Sequence, residues 1–135
     1  EYEEYSSGLG EDLTDSNFPY TPEHNAHAFV SYTFPRMDYG VLSGRLDWSY
    51  QDERTFLVPA PEANSGDSYD LWNARLTLDE IAGPGDTSAR ISLWGKNLLD
   101  EEYWNFGVDL TGSLGYAINT YGAERTFGVD LELMF

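Results

Sequence analysis

Along Tyr39–Gln51 the hydrophobic positions recur at every second residue. Gly40, Leu42, Gly44, Leu46, Trp48 and Tyr50 alternate, from Ser43 onward, with Ser43, Arg45, Asp47, Ser49 and Gln51, while Val41 breaks the pattern near the start. A two-residue period puts successive side chains on opposite faces of an extended chain, so this segment is predicted to be a strand with one apolar and one polar face. The period returns in Tyr69–Leu78, where Trp72, Ala74, Leu76 and Leu78 oppose Asn73, Arg75 and Thr77. It returns again in Thr126–Phe135, where Phe127, Val129, Leu131, Leu133 and Phe135 oppose Thr126, Gly128, Asp130, Glu132 and Met134. Ala26–Phe34 alternates more loosely. So does Ser88–Leu98, where Ala89, Ile91, Leu93 and Gly95 share a face while Trp94 and Leu98 fall on the other. Helical periodicity is weak throughout. The expected fold class is all-β, an antiparallel up-and-down meander of about six to eight strands that forms a barrel or a barrel segment.

The connections come in two lengths. Pro35–Asp38 and Ala82–Asp86 are short and carry Pro or Gly, whereas Ser6–Asn25, Gln51–Ser68 and roughly Gly107–Ala123 are long, acidic and rich in Gly, Ser, Asn and Asp. Short turns on one side and long loops on the other are the habit of outer-membrane barrels. Trp48, Tyr50, Trp72, Tyr32 and Phe34 lie toward strand ends, where an interfacial aromatic girdle or a core under a loop would place them.

Charge narrows the function classes. The 135 residues hold 24 acids and 7 bases, a formal net charge of -17. Binding to a phosphate backbone needs Lys and Arg, and here one Lys and six Arg are scattered singly, so nucleic acid is excluded as a partner. The absence of cysteine removes disulfide scaffolds and thiolate chemistry. No run of about 18 apolar residues predicts a membrane helix, but strands cross a bilayer with about ten alternating residues and leave no such run. The chain begins at Glu1 and carries no basic, apolar leader, so it reads as a mature product or an excised fragment.

Candidate chemistry is sparse. His24 and His27 are three apart, a ligand spacing on a helix, but on a strand those positions face opposite ways, so they are weak metal candidates. The acids Glu11, Asp12, Asp15, Asp52, Glu53, Glu62, Asp67 and Asp70 lack EF-hand spacing and read as solvated loops. No nucleophile elbow or phosphate-binding fingerprint occurs, so no catalytic residue and no cofactor are assigned. Arg45, Asp47, Asn73, Arg75, Arg90 and Lys96 are expected on the polar strand faces, as cross-strand charge pairs or as the lining of a wet lumen.

Ile91–Tyr103 reads Ile-Ser-Leu-Trp-Gly-Lys-Asn-Leu-Leu-Asp-Glu-Glu-Tyr. Its Asn97, Leu98, Asp100 and Tyr103 resemble the Asn-Leu-x-Asp-x-x-Tyr motif near the end of TonB-dependent outer-membrane receptors. Tyr121–Val129, with Gly122 and then Arg125-Thr126-Phe127-Gly128, resembles the approach to that family's final strand, and Phe135 resembles its terminal aromatic. Asp12–Thr14 and Phe18–His24 resemble the loop and the Pro-x-His start of an earlier strand. The resemblance covers the whole chain and implies the C-terminal quarter of a 22-stranded, plugged barrel. It implies a bacterial outer-membrane location, partners in lipid and the remainder of the barrel, and energy-coupled uptake of a siderophore, cobalamin or glycan. The family's plug and energy-coupling box have no counterpart here, so no ligand residue carries over. The alternative is a free-standing soluble barrel of eight strands that binds a small ligand or metal, or an enzyme grown on a barrel fragment. It would recruit Glu1–Tyr5, Tyr103–Val108 and Gly115–Tyr121 as extra strands to close the sheet.

Overall fold

Every segment with a two-residue period is a strand in the computed structural model, which describes Gly10, residues 19–57 and residues 65–135. In chain order the elements are β1 (Asn25–Thr33), β2 (Val41–Gln51), β3 (Arg54–Thr55), β4 (Ser65–Gly66), β5 (Tyr69–Ala82), β6 (Ser88–Lys96), β7 (Trp104–Asp109), the one-turn α1 (Thr111–Leu114), β8 (Ala117–Tyr121) and β9 (Thr126–Met134). The long strands form one five-stranded antiparallel sheet, ordered β1-β2-β5-β6-β9, which is not closed. No helix among the described residues is long and apolar enough to cross a membrane. The chain divides into two compact units. One holds the sheet (26–49, 70–101 and 123–135), and the other holds 1–25, 50–69 and 102–122.

The sheet's short connections are built by their turn residues. Between β1 and β2, Phe34 N–H donates to the Leu42 carbonyl at 2.8 Å, and Met37 and Gly40 exchange backbone bonds at 2.9 and 3.2 Å. Between β5 and β6, Gly83 N–H donates to Thr87 O at 3.0 Å, the Thr87 hydroxyl donates to Pro84 O at 2.7 Å, and Gly85 takes φ +68°, which glycine adopts without steric cost. The other two connections are long, and each contains a hairpin: β3 pairs with β4 between β2 and β5, and β7 pairs with β8 between β6 and β9.

Register assigns the faces. Leu76↔Leu93, Leu78↔Ile91, Ile91↔Leu131, Leu93↔Val129 and Gly95↔Phe127 are aligned on one face. Thr77↔Ser92, Arg75↔Trp94, Arg90↔Glu132, Ser92↔Asp130 and Lys96↔Thr126 are aligned on the other. The apolar face is exposed. Phe127, Val129, Leu131 and Leu133 are each about two-thirds exposed. Val30, Tyr32, Leu76 and Leu93, on other strands of the sheet, are exposed as well. Trp48 contacts Trp72 toward the end of the sheet from which the long connections leave, with ring centroids 6.3 Å apart. Tyr32 meets Phe34 edge-on at 4.8 Å toward the opposite end.

The second unit has a small core of its own. Phe56 is fully buried, the one large hydrophobic residue in that state among those described. Its ring lies against Gly66 and Gly107, where an added Cβ would come within 3.1 and 2.8 Å of ring carbons. Side chains at either glycine would displace it. Tyr20 covers the same ring at 5.6 Å, and Gly115, at φ +81°, ends α1 in the left-handed conformation usual for a helix C-terminus.

One expectation is corrected. The extra strands at Tyr103–Val108 and Gly115–Tyr121 exist as β7 and β8, but they pair with each other and do not extend the main sheet, so they close no eight-stranded barrel. The physical reason is local: only the short α1 segment separates them, so β7 satisfies its backbone groups on β8 without closing a long loop. The third recruit, Glu1–Tyr5, lies outside the described residues, as do Phe18 and the acids Glu11, Asp12, Asp15 and Glu62.

Candidate functional site

Two features concentrate polar side chains on the sheet unit: the turn that follows β6, and the charged face. Asn97 closes β6 in a left-handed conformation, φ +50°, which Asn tolerates better than most residues. It is 4 % exposed, and its amide is fully used. Nδ2 donates to the carbonyls of Glu101 (2.8 Å) and Ala123 (3.1 Å), and Oδ1 accepts from Glu101 N–H at 2.8 Å. Its own N–H donates to Asn73 Oδ1 on β5 at 3.0 Å. A buried amide with every group paired fixes one geometry, because any alternative strands a polar atom away from water.

The left-handed step at Asn97 redirects the chain. Leu98 N–H donates to the Trp72 carbonyl at 2.9 Å, and the Leu98 side chain approaches Gly95 so closely that a Cβ there would lie 2.6 Å away. Leu98 therefore returns to the apolar face, although simple alternation puts it on the polar one. Asp100, also left-handed at φ +61°, accepts from Arg125 N–H at 3.2 Å and pairs with the Arg125 guanidinium at 3.2 Å. Asn97, Leu98, Asp100 and Arg125 thus form one knot that ties the end of β6 to the start of β9. In the other unit, Tyr103 lays its ring over Gly122, where any Cβ would overlap it, and accepts the Gly122 N–H on its carbonyl at 2.7 Å. Tyr69 stacks on Tyr103 at 4.3 Å. Phe135 is fully exposed and makes no contribution to this knot.

The charged face is organised by cations. Arg90 bridges Asp79 (2.7 Å) and Glu132 (3.0 Å), the latter directly opposite on β9. Arg75 reaches Asp130 at 2.9 Å across the intervening β6, and Trp94 Nε1 donates to the same carboxylate at 3.1 Å. The Trp94 ring occupies the space above Gly128, its cross-strand neighbour, where a Cβ would collide with the indole. Arg45 pairs with Asp47 two residues along its own strand, at 2.6 Å, and lies over the Phe29 ring at 4.2 Å. Alternation alone suggests a cross-strand partner for Arg45; the i, i+2 spacing on one face of β2 supplies a nearer one. Asn73 and Lys96 form no charge pair among the described residues: Asn73 serves Asn97, and Lys96 sits 5.5 Å from the Trp94 ring centroid.

The histidines are not brought together. His24 Nδ1 is 3.1 Å from Asp52 Oδ2, in one unit, whereas His27 Nε2 is 3.8 Å from Asp47 Oδ1, in the other. The His24 imidazole, aided by the Glu53 N–H and the Tyr50 hydroxyl, holds the Asp52 carboxyl below the ordinary carboxylate range. The Thr111 hydroxyl and N–H do the same for Asp109. Among the described residues no three His, Cys, Asp or Glu side chains cluster as a metal site.

The sequence does not single out Asn73, Gly122 and Gly128 as partners of Asn97, Tyr103 and Trp94. The one signal it offers is a glycine set across from an aromatic. No family model, no curated protein and no solved structure matches this chain.

Proposed function

We propose that this chain is the C-terminal part of the β-barrel of a TonB-dependent outer-membrane receptor, and that the whole protein takes up a scarce nutrient such as a siderophore, cobalamin or glycan. The observation that carries the reading is the sheet's two unlike faces. One is largely aliphatic and exposed, with the Trp48–Trp72 pair toward one end and the Tyr32–Phe34 pair, on the edge strand, toward the other. The other is laced with ion pairs. A water-soluble sheet hides its apolar face against a second layer, whereas a barrel strand turns that face to hydrocarbon and its polar face to a wet lumen. Strand length agrees. β1, β2, β5, β6 and β9 hold 9, 11, 14, 9 and 9 residues, and a tilted strand needs about 9–11 to cross a bilayer.

The motif residues support the family in a structural role. The Asn97 amide spends all its hydrogen bonds inside the turn, and Asp100 and Arg125 pair with each other there. Lipid and the rest of the barrel are the partners in this reading, at β1 and β9 as well as on the apolar face. Two results test it: the protein should fractionate with outer membranes, and the chain should stay monodisperse only in detergent or lipid. A chain monodisperse in plain buffer would overturn the membrane reading.

A further inference from the structure

The groove on the charged face near the end of β6 has a donor-rich chemistry that the ion pairs do not use up. It encloses about 370 Å³ and is lined by Arg45, Arg75 and Lys96, with Asn73, Trp94 and the two carboxylates of Asp47 and Asp130. Both carboxylates are committed. Asp47 Oδ1 and Oδ2 each accept from Arg45, while Asp130 accepts from Arg75 on one oxygen and from Trp94 on the other. The donors are in surplus. Because Asn73 Oδ1 receives the Asn97 N–H, the amide orientation is set and Nδ2 is left as a donor. Lys96, the chain's sole lysine, has three N–H groups and no carboxylate partner among the described residues, and the Trp94 ring holds it beside the groove. Arg45 and Arg75 each use only part of their five N–H groups in their pairs.

We propose that this groove binds a small oxyanion, a carboxylate or phosphate group, with Lys96 and the Asn73 amide as direct donors and Arg45 and Arg75 at its flanks. Three cations against two carboxylates leave one net positive charge here, in a chain of net charge -17. Four of the chain's seven basic residues (Arg45, Arg75, Arg90 and Lys96) stand on this one sheet face. Unused N–H donors lining one groove favour a ligand made of oxygen acceptors, and guanidinium and ammonium groups favour one that is negatively charged. The inference rests on the barrel reading only for the route by which a ligand reaches this face.

The test uses the full chain refolded in detergent micelles, with the Trp94 indole N–H resonance as reporter, because Trp94 touches both Asp130 and Lys96. Inorganic phosphate and malonate should each shift that resonance in a saturable way, and chloride at matched ionic strength should not. Lys96→Met should weaken the apparent affinity roughly tenfold, and Lys96→Arg should keep it within about threefold. Saturation by only one of the two probes would also support the site and would name the class. A response shared equally with chloride, or one unchanged in Lys96→Met, would overturn the proposal. The two proposals fail separately: detergent dependence without oxyanion binding removes this site, and oxyanion binding at Lys96 by a chain that needs no detergent removes the membrane reading.

Discussion

The side-chain amide of Asn97 donates to the backbone carbonyl of Ala123, 26 residues further along the chain, and so fixes the end of β6 against the approach to β9. The same amide serves both backbone groups of Glu101. Replacing Asn97 with Ala strands two carbonyls and an N–H in a buried turn, and should cost about 2–4 kcal/mol. Asn97→Gly relieves the left-handed backbone but restores none of these bonds, so it should recover less than about 1 kcal/mol of that loss. Denaturant unfolding of the micelle-refolded chain measures both. Near-wild-type stability in Asn97→Ala would remove the knot as a stabilising element.

Gly122 and Tyr103 form a second obligate pair. Gly122→Ala forces the Tyr103 ring off its seat and should destabilise by about 1–3 kcal/mol. In a Tyr103→Ala background the same substitution should be nearly neutral, and a double-mutant cycle reads the difference. Additive losses would place the cost elsewhere.

Much of this fold is legible from alternation, and the irregularities of β5 and β6 share a cause: each falls where a local feature overrides the plain apolar–polar period of two. β5 continues four residues past Leu78 to Ala82 because an irregularity between Leu78 and Ile81, with Glu80 at φ +55°, breaks the register in which alternation is read. Trp94 is a large aromatic on a polar face because Gly128 opposite leaves it room and Asp130 takes its N–H. Leu98 changes sides because Asn97 is left-handed. The motif Asn97, Leu98, Asp100 and Tyr103 is visible as a string, but its roles depend on Asn73, Ala123 and Gly122, which lie far away in sequence and carry no mark of the pairing. The separate pairing of β7 with β8 is hidden because two short strands fit a sheet extension and a hairpin equally well.

The two faces of β9 should respond oppositely to charge. Leu131→Arg puts a guanidinium in the middle of the aliphatic band and should cost about 2–4 kcal/mol in a bilayer. Asp130→Asn, one residue away on the charged face, should be nearly silent by comparison, since its ion pair is exposed and screened by solvent. Reversible unfolding from lipid vesicles compares the two, and equal effects would dissolve the distinction between faces.

Acid sensitivity at the His24–Asp52 pair has a defined sign. The folded Asp52 carboxyl is held below its ordinary value, so its contribution is present above the unfolded carboxylate pKa and is lost as pH falls through the lower folded value. His24→Ala should move the Asp52 titration upward toward the ordinary range, as read by carboxyl NMR. An unmoved titration would assign the depression to the Glu53 N–H instead.

Phe135 is fully exposed, so deleting it should change the stability of refolded protein by no more than about 0.5 kcal/mol. If the residue serves as an assembly signal, the same deletion should sharply lower outer-membrane levels in cells. Unchanged levels would leave it without that role.

The most direct measurement is solvent accessibility along β9 in lipid. Spin labels placed singly from Phe127 to Leu133 report collisions with oxygen, which partitions into hydrocarbon, and with a water-soluble nickel chelate. Labels at Phe127, Val129, Leu131 and Leu133 should favour oxygen, and labels at Gly128, Asp130 and Glu132 should favour the chelate, in strict two-residue alternation. Uniform chelate access at every labelled position, or alternation in the opposite phase, would contradict a sheet whose apolar face lies against lipid.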